Sequence, residues 1–141
     1  AFLGEVAREE VAAVRRAMDQ TTIPVLRLTF DHVGHFPREE GDIWWIGLAP
    51  NEALSTLQNE LSKRLRDEGF RLESRSFIPH ITLARRVVLK RHPDKNELLG
   101  VPFSASADTI SLMLSERVNG QLIYTQQYAV HAQKQAKQDS C

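Results

Sequence analysis

Phe77-Ile78-Pro79-His80-Ile81-Thr82-Leu83 is the stretch from which fold and chemistry are both read. Proline has no amide hydrogen to give to a ladder, so Pro79 favours a strand that opens at the motif and runs from about Phe77 to Val88. Side chains alternate along a strand. His80, Thr82, Ala84 and Arg86 are therefore expected on one face, with Ile81, Leu83 and Arg85 on the other. His80 and Thr82 then stand roughly 6–7 Å apart. At that separation both reach one phosphate: the hydroxyl holds a non-bridging oxygen and the imidazole moves a proton. A bare His-x-Thr is common by chance, and taken alone it favours a hydrogen-bonded structural histidine.

Outward from the motif, the chain alternates helical and extended periods. Residues 8–19 predict a helix, with Val11, Val14 and Met18 at helical spacing. Ile23 to Phe30 predicts a half-buried strand, with Leu26, Leu28 and Phe30 opposite Arg27 and Thr29. Gly34 to Gly41, with Pro37 between, supplies turn residues, and Ile43 to Leu48 reads as a buried strand. A second helix opens at Pro50-Asn51 and carries the stripe Leu54, Leu57, Leu61, Leu65, with Gly69 at a left-handed cap. After the motif strand comes a polar linker containing Pro93 and Asp94. Two strands, about 107–116 and 121–131, meet at Asn119-Gly120, a strong hairpin signal. Mixed helices and adjacent antiparallel strands predict an α+β domain.

The bulk numbers narrow the function. The 141 residues suit one domain, and 18 basic residues balance 18 acidic ones. A neutral chain does not hold nucleic acid by bulk charge, which disfavours a general duplex binder and leaves room for a local site. The one cysteine, Cys141, excludes an internal disulfide. No apolar run approaches a membrane span, so no membrane partner is expected, and the composition fits a cytoplasmic location. Ala1-Phe2-Leu3-Gly4 has no signal-peptide pattern, lacks Met and begins on apolar residues, which leads us to expect a missing amino-terminal segment.

The stretch from Arg75 to Arg85, Arg75-Ser76-Phe77-Ile78-Pro79-His80-Ile81-Thr82-Leu83-Ala84-Arg85, resembles the second signature of the LigT-like RNA 2′,3′-cyclic phosphodiesterases, of the two-histidine phosphoesterase superfamily. Ala1 to Val6 resembles the segment that follows the family's first His-x-Thr motif. Gly34-His35-Phe36-Pro37 with Ile43-Trp44-Trp45-Ile46-Gly47-Leu48 is similar to the family's middle strand pair. Leu114-Ser115, Gly120 and Tyr124 resemble its closing hairpin. Four matches in order are far more specific than one tripeptide.

The resemblance implies a two-lobed α+β fold with antiparallel sheets flanked by helices, each lobe giving one His-x-Thr strand to a central cleft. It implies hydrolysis of an RNA terminal 2′,3′-cyclic phosphate to a 2′-phosphomonoester, with reversible 2′-5′ RNA ligation as related chemistry. It also implies a monomer when complete, with no cofactor and no metal, because two histidines supply both proton transfers. Carried over, His80 is the general base and Thr82 a phosphate ligand. Phe77 is a candidate to stack on a base and Arg86 to meet RNA phosphates, against the ordinary readings of packing and of a solvated strand end. Ser115 and Tyr124 are weaker candidates, and of Trp44 and Trp45 one is expected in the core.

The family's first motif is not among these residues. The positions two after His32, His35, His92 and His131 are Gly34, Pro37, Asp94 and Gln133. The expected domain, residues 1–132, is therefore a partial two-histidine phosphoesterase domain lacking its first strand or strands, followed by a polar tail, residues 133–141, expected to be disordered. The competing readings are a non-catalytic RNA-end binding protein that lost the first motif, and a structural half-domain.

Overall fold

The computed structural model describes residues 1–74 and 76–133. Arg75 and the tail beyond residue 133, for which disorder was expected, lie outside the described residues. The chain divides into two compact units.

The first unit comprises residues 1–26, 52–74 and the chain from Ala107 onward. A 3-10 turn, Arg8–Glu10, leads into α1, Val11–Asp19. Of the expected stripe, Val14 and Met18 are buried and Val11 is half-buried; Val14 and Met18 form one cluster with Ala17 and with Leu65 of α2, Glu52–Asp67. Helix α2 ends in a Schellman motif. The amide of Phe70 donates to the carbonyl of Leu65 at 3.0 Å and that of Gly69 to Arg66 at 2.9 Å, with Gly69 at φ +100°. Phe70 thereby folds back onto the cluster. Glu68, at the cap, pairs with Arg16 at 3.1 Å.

The same cluster is covered by Ile110, Leu112, Tyr128 and Val130 of a two-stranded ribbon. Its first strand, Thr109–Val118 (β5), starts and ends about two residues later than the sequence predicts, and its second, Gln121–His131 (β6), has the predicted bounds. The turn itself is as expected: Asn119 and Gly120 both have positive φ, +51° and +81°, the geometry whose twist matches flanking strands.

The second unit, described over residues 27–51 and 76–106, is a sheet in the order β3-β2-β1-β4. Here β1 is Leu26–Phe36, β2 Asp42–Leu48, β3 His80–Val87 and β4 Phe103–Ala107. Strand β1 is longer than predicted. Gly34, His35 and Phe36 belong to it, paired with Trp45, Trp44 and Ile43, and only residues 37–41 turn. The reason is packing: a Cβ on Gly34 would lie 2.4 Å from two indole carbons of Trp45, so this glycine lets a ring lie on the strand. The linker also held more than the sequence revealed. Asp94 accepts the Asn96 amide at 2.9 Å and caps a five-residue helix, α3, Lys95–Leu99, too short to show periodicity. Strand β4, mostly Ser and Ala, lies beside β1, with Phe103 stacked on Phe30 at 5.0 Å and Ser104 bonded to Thr29 at 3.0 Å.

No helix among the described residues is long and apolar enough to cross a membrane.

Candidate active site

Strand β3 begins at His80, three residues later than predicted, because Pro79 can give nothing to the ladder. It pairs antiparallel with β2: His80 with Gly47, Ile81 with Ile46, Thr82 with Trp45. His80 and Thr82 therefore share a face, as the alternation required. Beyond Thr82 the alternation fails. Trp44 pairs with Ala84 and Asp42 with Val87, so an extra residue enters β3 at each of two irregularities. Ala84 consequently shares a face with Trp44, opposite His80, which corrects the expected run His80, Thr82, Ala84, Arg86. Arg86 takes a left-handed φ of +57°, and its guanidinium lies 3.9 Å from Glu40, both side chains exposed.

The register on β1 adds to the His80 face. His32 pairs with Gly47, Gly34 with Trp45 and Phe36 with Ile43, so His32 and Phe36 stand on that side too. His80 contacts two rings: Phe36, edge-on at 5.3 Å, and Trp45 at 5.7 Å. Trp44 and Trp45 are both buried, on opposite faces. A rigid aromatic floor thus lies under a histidine that is itself exposed.

The proton on His80 is fixed by its neighbour. Nδ1 lies 2.5 Å from the carbonyl oxygen of Ile78, which only accepts, so Nδ1 carries the hydrogen. In the neutral ring, Nε2 is then the basic nitrogen. Thr82, half-buried two residues on, offers a hydroxyl on the same surface. Phe77 is exposed, three residues before His80 and outside the strand.

Sequence reasoning passed over His32 because no hydroxyl residue stands two positions after it. The structure sets His32 and His80 on either side of Gly47. A Cβ there would lie 2.3 Å from His32 Nε2, so this ring leans over the glycine. Its Nδ1 is 2.6 Å from Asp31 Oδ1. Asp31 is the bulged residue of β1, and the bulge is what turns His32 to this face. The only signal available in the sequence was the adjacent Asp-His pair, which is too frequent to act on.

Known proteins share this fold. Residues 2–119 match the model of the 2′-5′ RNA ligase superfamily. The chain is 29% identical over 99 residues to an RNA 2′,3′-cyclic phosphodiesterase of Archaeoglobus fulgidus, covering 70% of this chain and 54% of that protein. It is 32% identical over 101 residues to one from Thermotoga maritima, covering 70% and 52%. The chain spans about half the length of these curated relatives. Among solved structures it is similar to Escherichia coli LigT complexed with 3′-AMP, with a TM-score of 0.80 and 27% identity over 95% of this chain and 75% of that one. A match running through both units, together with the strand that carries His80 and Thr82, leads to one conclusion: the chain belongs to the 2′-5′ RNA ligase superfamily.

Proposed function

We propose that the protein to which these residues belong hydrolyses RNA terminal 2′,3′-cyclic phosphates to 2′-phosphomonoesters, with His80 as general base. The observation that carries the reading is the His80 tautomer. Nδ1–H is spent on Ile78, which leaves Nε2 as the acceptor on an exposed ring beside the Thr82 hydroxyl. Membership of a superfamily that includes RNA 2′,3′-cyclic phosphodiesterases supplies the substrate class.

In this mechanism His80 Nε2 takes a proton from water as its oxygen forms a bond to phosphorus. The bond from phosphorus to the ribose 3′ oxygen breaks, and an acid protonates that oxygen. Thr82 donates to a non-bridging oxygen, where negative charge grows. Phe77 stacks on the terminal base and Arg86 meets a neighbouring phosphate. With a ribose 5′-hydroxyl in place of water, the same steps join ends through a 2′-5′ linkage, and their reverse cleaves it. The acid is the histidine of a first His-x-Thr motif. The 141 residues contain one such motif, so taken alone they should turn over about 10²–10⁴-fold more slowly than a protein carrying both. Residues 1–132 act in this reading as part of a two-histidine domain, monomeric and cytoplasmic, with RNA ends as partner.

The test uses an RNA oligonucleotide ending in a 2′,3′-cyclic phosphate, incubated in EDTA with the product of the complete reading frame. Phosphorus NMR identifies the product, and circular dichroism verifies that the fold persists. A 2′-phosphate formed in chelator is expected. A 3′-phosphate, or turnover that needs added metal while the fold is intact, would overturn the mechanism.

A further inference from the structure

On the sheet face opposite His80, three side chains bring ligand-type atoms into one small volume. They are His35 of β1, Asp42 at the start of β2, and His92, five residues beyond β3. One ligand atom from each lies within 4.8 Å of the others. The register explains two of the three: His35 pairs with Trp44, and Asp42 shares a face with Trp44 two residues away.

The local contacts suit coordination better than hydrogen bonding. His35 Nε2 is 3.9 Å from Asp42 Oδ2, too far for a hydrogen bond. Two ligands on one ion, each bonded at about 2.0–2.2 Å, stand roughly 3–4 Å apart. His35 Nδ1 is shut off from solvent and has no hydrogen-bond partner among the described residues. The ring is half-buried, and Nε2, the nitrogen that faces Asp42, is the one an ion can reach. Its ring lies flat on Trp44, with centroids 4.9 Å apart and planes 22° apart, and the His92 ring is 4.9 Å away. The orientation of His35 is therefore set before any ion arrives. Asp42 and His92 also line a cavity of ≈ 260 Å³, with space for an ion and its remaining water. Arg38, the cation at its rim, is engaged elsewhere. It donates to the Pro37 carbonyl at 2.8 Å and lies over the Phe36 ring.

We propose that His35, Asp42 and His92 form a binding site for one zinc-class divalent ion. Two imidazole nitrogens with one carboxylate oxygen select a borderline cation over magnesium or calcium, which take oxygen sets. The bound ion ties the β1–β2 turn to the segment after β3. It stabilises the end of β3 remote from His80 and takes no part in proton transfer, which occurs on the other face.

The test is calorimetric titration of EDTA-stripped protein with Zn²⁺, in a Cys141→Ser background that removes the one thiol. Co²⁺ serves as the visible-spectrum probe and Mg²⁺ as the oxygen-preferring control. One Zn²⁺ per chain is expected, with a higher Tm and Co²⁺ bands of low-symmetry coordination, and no response to Mg²⁺. His92 is exposed, so His92→Ala should fold normally, and Asp42→Asn preserves shape. Each should weaken Zn²⁺ by more than the roughly 10–100-fold that loss of an outer hydrogen-bond partner costs. His80→Ala should bind Zn²⁺ as before. The proposal is overturned if Zn²⁺ does not bind stoichiometrically, if binding survives both ligand variants, or if it is lost in His80→Ala.

Discussion

The imidazole of His80 meets the ring of Phe36 edge-on, with centroids 5.3 Å apart and planes crossing at 86°. Phe36 comes from β1 and His80 from β3, with β2 between them, so the contact forms across the sheet. Phe36 also packs on Trp45 at 5.2 Å, and Trp45 on His80 at 5.7 Å. One buried indole and one phenyl ring thus define where the exposed histidine can point.

Under the proposed mechanism Phe36 is a positioning residue for His80. An edge-to-face aromatic pair is worth about 0.5–1.5 kcal/mol, so Phe36→Leu should lower kcat about 2- to 10-fold. KM should change little, and Phe36→Tyr should restore most of the rate. Equal losses in Leu and Tyr variants that track a lower Tm would reduce Phe36 to a packing residue.

Gly34 should not tolerate a side chain. Its added Cβ would lie 2.4 Å from Trp45 Cη2 and Cζ2, and the buried indole has no free end to swing away. Gly34→Ala should destabilise the protein by about 1–3 kcal/mol in urea unfolding, the usual penalty of overpacking. Wild-type stability in this variant would mean that Trp45 does not lie on the strand as described.

Alkaline titration should single out Tyr128. Its phenol donates to Asp19, and that hydrogen bond, aided by loss of water and the nearby carboxylate charge, raises its ionisation above the ordinary tyrosine value of 10.0. Arg15, over the ring, opposes the rise. The folded state binds this proton more tightly than the unfolded state. The stabilisation is therefore fully present below the ordinary value and is lost as pH rises through the raised one. Phenolate absorbance should show a late component that disappears in Tyr128→Phe and moves earlier in Asp19→Asn. A late component that persists in Tyr128→Phe would contradict the assignment.

The pairing of His80 with Thr82 was legible because strand alternation is a local rule and the two residues are adjacent steps of it. The helix stripes were legible for the same reason, as was the Asn119-Gly120 turn, which dictates its own backbone. What the sequence concealed depends on partners far along the chain. The bulge at Asp31 that turns His32 toward Gly47, and the irregularity in β3 between Thr82 and Ala84 that puts Ala84 on the face opposite His80, are properties of pairing with β2. The His35, Asp42 and His92 grouping is likewise visible only once strands are in register. Gly34 looked like a turn residue and is a strand residue, because its lack of a side chain serves Trp45 rather than chain reversal.

Thr82→Ala should behave differently from any loss of the base. A hydrogen bond to a charged group is worth about 1.5–3 kcal/mol, and the phosphate carries charge in both substrate and transition state. Both KM and kcat should therefore worsen, together by about 10- to 100-fold in kcat/KM. An effect on kcat alone would place Thr82 away from the ground-state phosphate.

The central claim is tested most directly by His80→Ala in the complete protein, with turnover of a 2′,3′-cyclic phosphate RNA end and Tm measured on the same samples. The account predicts a loss of about 10²-fold or more in kcat with nearly unchanged substrate binding and Tm, because proton transfer contributes in the transition state. Unchanged turnover in a fully folded His80→Ala protein would contradict it, as would a loss that only follows the unfolded fraction.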